Sequence, residues 1–300
     1  MLRAALAAGT VAAALWVPHP VSAAVPQTGT VAAAQVPLGR TGIRMSRLGV
    51  GTGTIGGGGQ SNQTRLGLEA FTKLMRHAFE RGITYFDAAD SYGSHTFIRH
   101  VLKEIPRDQV TILTKLRARA RSDVQNDMER LLKELGTDYI DILLLHCMTE
   151  SDWPTQMASR MDVFSAAKEK KIVRAVGVSC HSVEALETAA ESPWVDVVLA
   201  RINHDGEKMD AKPNVVVPVL RKIHDAGKAV LGMKIVGEGR LVEQLDRSLE
   251  YVLKLDCVDA MTVGFEDTTE VDDTISRMER AAKSQAVGSR GPSALLSRVA

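Results

Sequence analysis

Residues 141–146 read DILLLH. A strand with one face in water alternates apolar and polar side chains, whereas a run apolar at every position suits a parallel strand covered on both faces. KAVLGM at 228–233 has the same character. Immediately before the first run, Val124, Met128, Leu131, Leu132 and Leu135 make an apolar stripe at helical spacing. Ser122 and Gln125 stand at capping-box spacing and Gly136 follows as the stop. A helix running into a fully buried strand is one α/β unit, and the question is how many such units the chain holds.

Working outward, strands are expected at 47–51, 84–87, 109–115, 140–146, 174–179, 195–202, 228–233 and 259–264. Between and after them lie helical patterns, the clearest carrying Phe71, Leu74, Met75, Ala78 and Phe79 on one face with Gly82 after it. Others fall near 95–104, 123–135, 162–170, 182–191, 214–226, 241–253 and 269–281. This alternation predicts an α/β fold, a parallel (β/α)8 TIM barrel, with an open doubly wound sheet as the runner-up.

The whole chain has 300 residues, 45% of them hydrophobic, which suits one large domain with a sizeable core. Lys plus Arg is 37 against 36 for Asp plus Glu, with no long basic block, so nothing points to a nucleic-acid partner. The first 24 residues combine Arg3, a short apolar run and the small residues Val21, Ser22 and Ala23, the three parts of an export signal. Residues 25–35 read as a linker, 36–281 as the barrel domain and 282–300 as a tail without sustained periodicity. Export to the periplasm or the medium is the expectation if the signal is real, and a cytoplasmic location otherwise. Cys147, Cys180 and Cys257 lack any CxxC or metal-ligand spacing and are expected as free thiols; no metal site is expected.

In a parallel barrel the carboxyl ends of the strands converge on one mouth. Residues 86–93, FDAADSYG, end one strand in Asp87 and, after a short turn, Tyr92; the next two strands bring Lys115 and His146. A tyrosine with an ordinary pKa of about 10 exchanges protons near neutral pH only if a neighbouring cation favours its phenolate. Lys115 is such a cation, Asp87 a group to hold it, and His146 a hydrogen-bond partner for a carbonyl. Taken singly, each has an ordinary role as turn, solvent-facing or core residue; the conjunction points to chemistry.

The stretches VPLGRTGIRMSRLGVGTGT (37–54), GITYFDAADSYG (82–93), TKL (114–116), LKELGTDYIDILLLH (132–146) and VRAVGVSCHS (173–182) resemble the aldo-keto reductase family from about residue 36 to 280. The resemblance implies a barrel with an N-terminal β-hairpin. It also implies Asp87, Tyr92, Lys115 and His146 as a catalytic tetrad with Tyr92 as general acid, and hydride transfer from NAD(P)H to an aldehyde or ketone. The cofactor would be NADP(H), with NAD(H) kept open by the acidic residues of 266–273 ahead of Arg277. Carried over position by position, cofactor contacts fall on Ser179, Cys180, Met233, Gly264, Phe265 and Arg277, with Cys180 where many relatives have asparagine. Trp153 is the candidate substrate wall at the mouth. A different reading of the same residues is a cofactor-binding or sensory subunit with slow turnover.

Overall fold

A computed structural model describes residues 28–117 and 123–288. The expected export signal and the end of the expected tail lie outside those residues. A two-stranded antiparallel hairpin, β1 (Gln35–Pro37) and β2 (Arg44–Ser46), precedes the barrel. The barrel strands are β3 (Leu48–Gly51), β4 (Tyr85–Asp87), β5 (Thr111–Arg117), β6 (Ile140–Met148), β7 (Val173–Cys180), β8 (Val197–Arg201), β9 (Ala229–Met233) and β10 (Ala260–Gly264). They pair in parallel in chain order and β10 closes on β3, so the sheet has no edge. The closed ring excludes the open doubly wound alternative.

The helices are α1 (Asn62–Arg65), α2 (Leu68–Glu80), α3 (His95–Val101), α4 (Val124–Leu135), α5 (Trp153–Gln156), α6 (Ala158–Glu169), α7 (Val183–Glu191), α8 (Pro213–Asp225), α9 (Leu245–Leu253) and α10 (Thr268–Gly288). Their apolar faces cover the outside of the sheet, where Phe71, Met128, Leu131, Phe164, Leu220 and Val271 are buried. The barrel interior is a second, separate core: Tyr85, Leu113, Ile142, Leu144, Leu199 and Leu231 fill it, and Val36, Leu38, Ile43 and Met45 of the hairpin plug its amino-terminal end.

The same end carries a polar clasp. Asp141, fully buried at the start of β6, accepts from the backbone N–H of Ile112 (2.9 Å) and pairs with Arg107 (2.8 Å) and Arg174 (2.6 Å). One carboxylate thereby fixes β5 against β6 and β7, with its oxygens satisfied as a buried charge requires.

Several boundaries differ from expectation. In the expected linker, Ala32 is buried and accepts from the Leu48 N–H (2.9 Å), so this stretch packs against the barrel rather than tethering it. The cap of α4 is Asp123, whose carboxylate accepts from the N–H groups of Gln125 and Asn126; Ser122 lies outside the described residues. Helix α10 continues past 281 to Gly288, with Ala281 buried. Strands β5 and β6 each run two residues beyond Lys115 and His146.

Candidate active site

The mouth of the barrel is built from the carboxyl ends of its strands. Asp87, the last residue of β4, is held through its backbone: its carbonyl accepts from both the N–H and the hydroxyl of Thr52, each at 2.9 Å. Lys115 on β5 reaches across to it. The Lys115 side chain is only 1% exposed, and its ammonium forms an ion pair with the Asp87 carboxylate and donates to the Ala88 carbonyl (2.8 Å). Burial opposes charge on Lys115, but the Asp87 carboxylate and Tyr92 outweigh it, so its pKa lies above that of an ordinary lysine.

Tyr92 closes a single 3-10 turn, residues 90–92, directly after β4. Gly93 follows at φ +69°, and a Cβ there would lie 2.0 Å from the Gly59 carbonyl oxygen, so only glycine lets the two loops meet. Behind the turn, Arg130 of α4 pairs with Asp90 (2.8 Å) and Glu134 (2.8 Å). Glu134 accepts from His95 (3.0 Å), which in turn meets the Thr114 hydroxyl (2.7 Å). The His95 hydrogen bond and Arg130 hold the Glu134 carboxyl down to about 2. This braced network fixes the turn that aims Tyr92.

The Lys115 ammonium lies 5.1 Å from the centre of the Tyr92 ring. Burial raises the tyrosine pKa, with Lys115 pulling the other way, and the net direction is upward. The hydroxyl therefore keeps its proton at neutral pH, beside a cation that favours the anion left when the proton goes. His146 meets the Tyr92 ring edge to face, with centres 5.8 Å apart. Burial first, then Lys115 and His181, push His146 down to about 2, so it is a neutral imidazole; its Nδ1 is buried without a hydrogen-bond partner among the described residues.

A β-bulge aims His146. The register of β6 against β7 slips between Leu145 and Met148, Cys147 takes φ +69°, and its N–H is satisfied by the Ser179 hydroxyl (2.8 Å) instead of the ladder. Beyond His146, His181 presents its ring at 6.4 Å between centres. Its Nδ1 is bound by Arg201, which pairs with the buried Asp210 at 2.9 Å. Burial first, then Arg201, lower the His181 pKa to about 3. Burial raises the Asp210 carboxyl although Arg201 counters it.

A cleft of about 250 Å³ opens on the other side of Tyr92, between β3, β9 and β10. Asp87, Tyr92 and Met233 line one end, and Asn62, Glu266 and Glu270 line the other. Its floor is Gly51, Gly264 and Thr262, whose hydroxyl is buried with no partner among the described residues. An apolar sulphur at one end and bare glycine backbone along the floor leave room for a flat ring to lie against the strand ends.

The sequence model of the Aldo/keto reductase family matches residues 47–288. The chain belongs to the aldo/keto reductase family. It is 33% identical over 168 residues to the aldo-keto reductase YhdN of Bacillus subtilis, a match covering 49% of this chain and 47% of that protein. It is 25% identical over 210 residues to the NADH-specific methylglyoxal reductase of Escherichia coli, covering 62% of this chain and 63% of the relative. The matches thus span from about half to under two thirds of these curated relatives' lengths. Among solved structures, the holo form of aldo-keto reductase AKR11C1 from Bacillus halodurans superposes with a TM-score of 0.65 at 18% identity, over 83% of this chain and 95% of that one, a likeness of fold.

Within this aldo/keto reductase the expected residues divide. Asp87, Tyr92, Lys115 and His146 converge; Met233 and Gly264 line the adjoining cleft; Ser179 holds the bulge beside His146. Cys180 does not belong to the mouth. It is fully buried in the layer between sheet and helices, because adjacent residues of a strand point to opposite faces and Ser179 takes the inward one. Phe265 is likewise in that outer core, and its carbonyl is taken by Gln63 (3.2 Å). Arg277 lies on α10 seven positions beyond Glu270 and is engaged by Asp246 and Asp273, each at 2.6 Å. Trp153 is 1% exposed, donates to the Ala185 carbonyl (3.2 Å) and packs on Trp194; it is no wall of the mouth.

Sequence reasoning did not single out Thr262, His181 or Arg201. A signal existed for His181 and Arg201: each stands at the carboxyl end of a barrel strand or one residue past it. All three cysteines are free thiols. Among the described residues no cluster of His, Cys, Asp or Glu is arranged to hold a metal, and no helix is long and apolar enough to cross a membrane.

Proposed function

We propose that the chain is a nicotinamide-dependent carbonyl reductase that protonates an aldehyde or ketone oxygen from Tyr92. The observation that carries this reading is the convergence of a protonated tyrosine, a charged and buried lysine, its carboxylate and a neutral imidazole at three successive strand ends. The reduced cofactor supplies the hydride. Tyr92 gives its proton to the developing alkoxide; Lys115 stabilises the phenolate that remains; Asp87 keeps the lysine charged and in place. His146, neutral across the working range, orients the carbonyl by hydrogen bonding and does not act as the acid. Met233 would pack on the nicotinamide at its end of the cleft.

The far end of the cleft favours NADH over NADPH. It is flanked by Asn62, Glu266 and Glu270, and the Arg277 foreseen as a phosphate contact is held by two carboxylates. Carboxylates accept from ribose hydroxyls and repel a dianionic 2'-phosphate. The relative from Escherichia coli is NADH-specific by name, in keeping with this preference. Fluorescence titration of the chain with both reduced cofactors, followed by addition of an aldehyde, tests the reading. NADH binding about 10-fold or more tighter than NADPH, with loss of the reduced-cofactor signal on adding the aldehyde, is expected on electrostatic grounds. Tighter NADPH binding would overturn the cofactor preference, and binding without turnover across several carbonyl classes would overturn the reductase reading.

A further inference from the structure

Two buried hydroxyls beneath the mouth take no part in the steps above. Tyr85 and Asp87 of β4 point to the same side of the strand, as residues two apart do, and Tyr85 belongs to the barrel interior one inward position below Asp87. Thr262 of β10 also faces inward, since its neighbours Met261 and Val263 lie in the outer core. Tyr85 is fully buried and Thr262 is 7% exposed, yet neither hydroxyl has a hydrogen-bond partner among the described residues.

The strand between them brings the two together. Gly49 of β3 pairs with Tyr85 on one side and with Thr262 on the other, and Gly51 pairs with Asp87. A Cβ at Gly49 would lie 2.1 Å from the Tyr85 ring, and one at Gly51 would lie 3.0 Å from the Thr262 hydroxyl. Both side chains therefore lean over the same bare strand from opposite sides. They make no direct hydrogen bond, and a water joining two hydroxyls spans two bonds of about 2.8 Å each. Asp87 supplies a third partner: Lys115 binds its Oδ1, leaving Oδ2 able to accept. Burial first, then the Asp87 charge and Tyr92, raise the Tyr85 pKa, so its hydroxyl keeps a proton to donate.

We infer that Tyr85 and Thr262 hold one buried water under Asp87, which accepts from both hydroxyls and donates to the Asp87 carboxylate. Tyr85 and Thr262 are then positioning residues that act on Tyr92 through Asp87 and Lys115. Three polar partners are what a buried water ordinarily takes, and without it each hydroxyl would carry the cost of an unmade hydrogen bond.

This inference rests on the carbonyl-reductase reading, and the test lets the two fail separately. Full-chain wild type, Tyr85→Phe, Thr262→Val, Thr262→Ser and the Tyr85→Phe/Thr262→Val double variant are compared by kcat for propanal at saturating NADH, by NADH affinity and by urea unfolding. Each hydroxyl deletion is expected to lower kcat about 10-fold with NADH affinity within about 3-fold of wild type, and Thr262→Ser to restore it. The double variant loses no more than either single one, because both act through one water. A crystal structure of the wild type should show that water within about 3.2 Å of both hydroxyls. Unchanged kcat with raised stability in Tyr85→Phe, the result of deleting a hydroxyl that was never paired, overturns the inference and leaves the reductase reading standing. Losses that multiply to about 100-fold in the double variant, or a crystal structure with no water between the hydroxyls, overturn it as well. Wild type that binds NADH and reduces none of several aldehydes fails the reductase reading, and the positioning role with it.

Discussion

At the level of single residues, the mouth separates a group that stays protonated from groups that stay neutral. Tyr92 is raised and keeps its proton, whereas His146 and His181 are pushed to about 2 and about 3 and shed theirs. The histidines tie stability to pH. Their folded pKa values lie below the unfolded value of about 6.5, so the unfolded chain binds more protons below that pH. Stability is therefore complete above about pH 6.5 and declines as the solution is acidified, by at most about 1.4 kcal/mol per pH unit for each histidine. Urea unfolding measured at pH 7.5, 6.5, 5.5 and 5.0 should show that decline. His146→Gln should remove about half of the histidine slope; an unchanged slope would mean that this ring is protonated as readily in the folded protein as in the unfolded chain.

At the level of elements, the loop after β3 is what holds Tyr92, the proposed acid, in place. A Cβ at Gly53 would come within 2.2 Å of the Tyr92 ring, and one at Gly56 within 2.7 Å, so these glycines let backbone lie flat on the tyrosine. Gly53→Ala should displace the ring and lower kcat about 100-fold at saturating cofactor, the scale expected for misplacing a reacting group by about 1 Å, while the melting temperature moves little. Wild-type kcat in that variant would show that the loop yields and the tyrosine does not depend on it. The elements themselves were legible in the sequence, since continuous apolar runs such as DILLLH mark doubly covered strands and Gly82 and Gly136 mark helix ends. Positions were less legible where one residue decides a face. Ser179 and Cys180 look like a matched pair in sequence, yet strand alternation sends them to opposite sides. Trp153 looks free in a loop and is drawn into the core by Trp194 and the Ala185 carbonyl, partners 32 residues or more away that no local pattern announces.

At the level of the whole molecule, stability and chemistry occupy opposite ends of one barrel. The hairpin plug and the Asp141 clasp close the amino-terminal end, and the strand carboxyl ends carry Asp87, Tyr92, Lys115 and His146. Such a division lets the mouth keep buried charges and an unpaired imidazole nitrogen that would be costly in the core. In the proposed reaction one proton donor, Tyr92, serves the carbonyl oxygen. The most direct test of this claim is single-turnover oxidation of bound NADH by an aldehyde in wild type and Tyr92→Phe, with cofactor affinity measured in parallel. Loss of about 100- to 10,000-fold in rate, with affinity changed by less than about 3-fold, is the predicted result. A mutant rate within about 10-fold of wild type would show that the proton comes from elsewhere and would contradict the account.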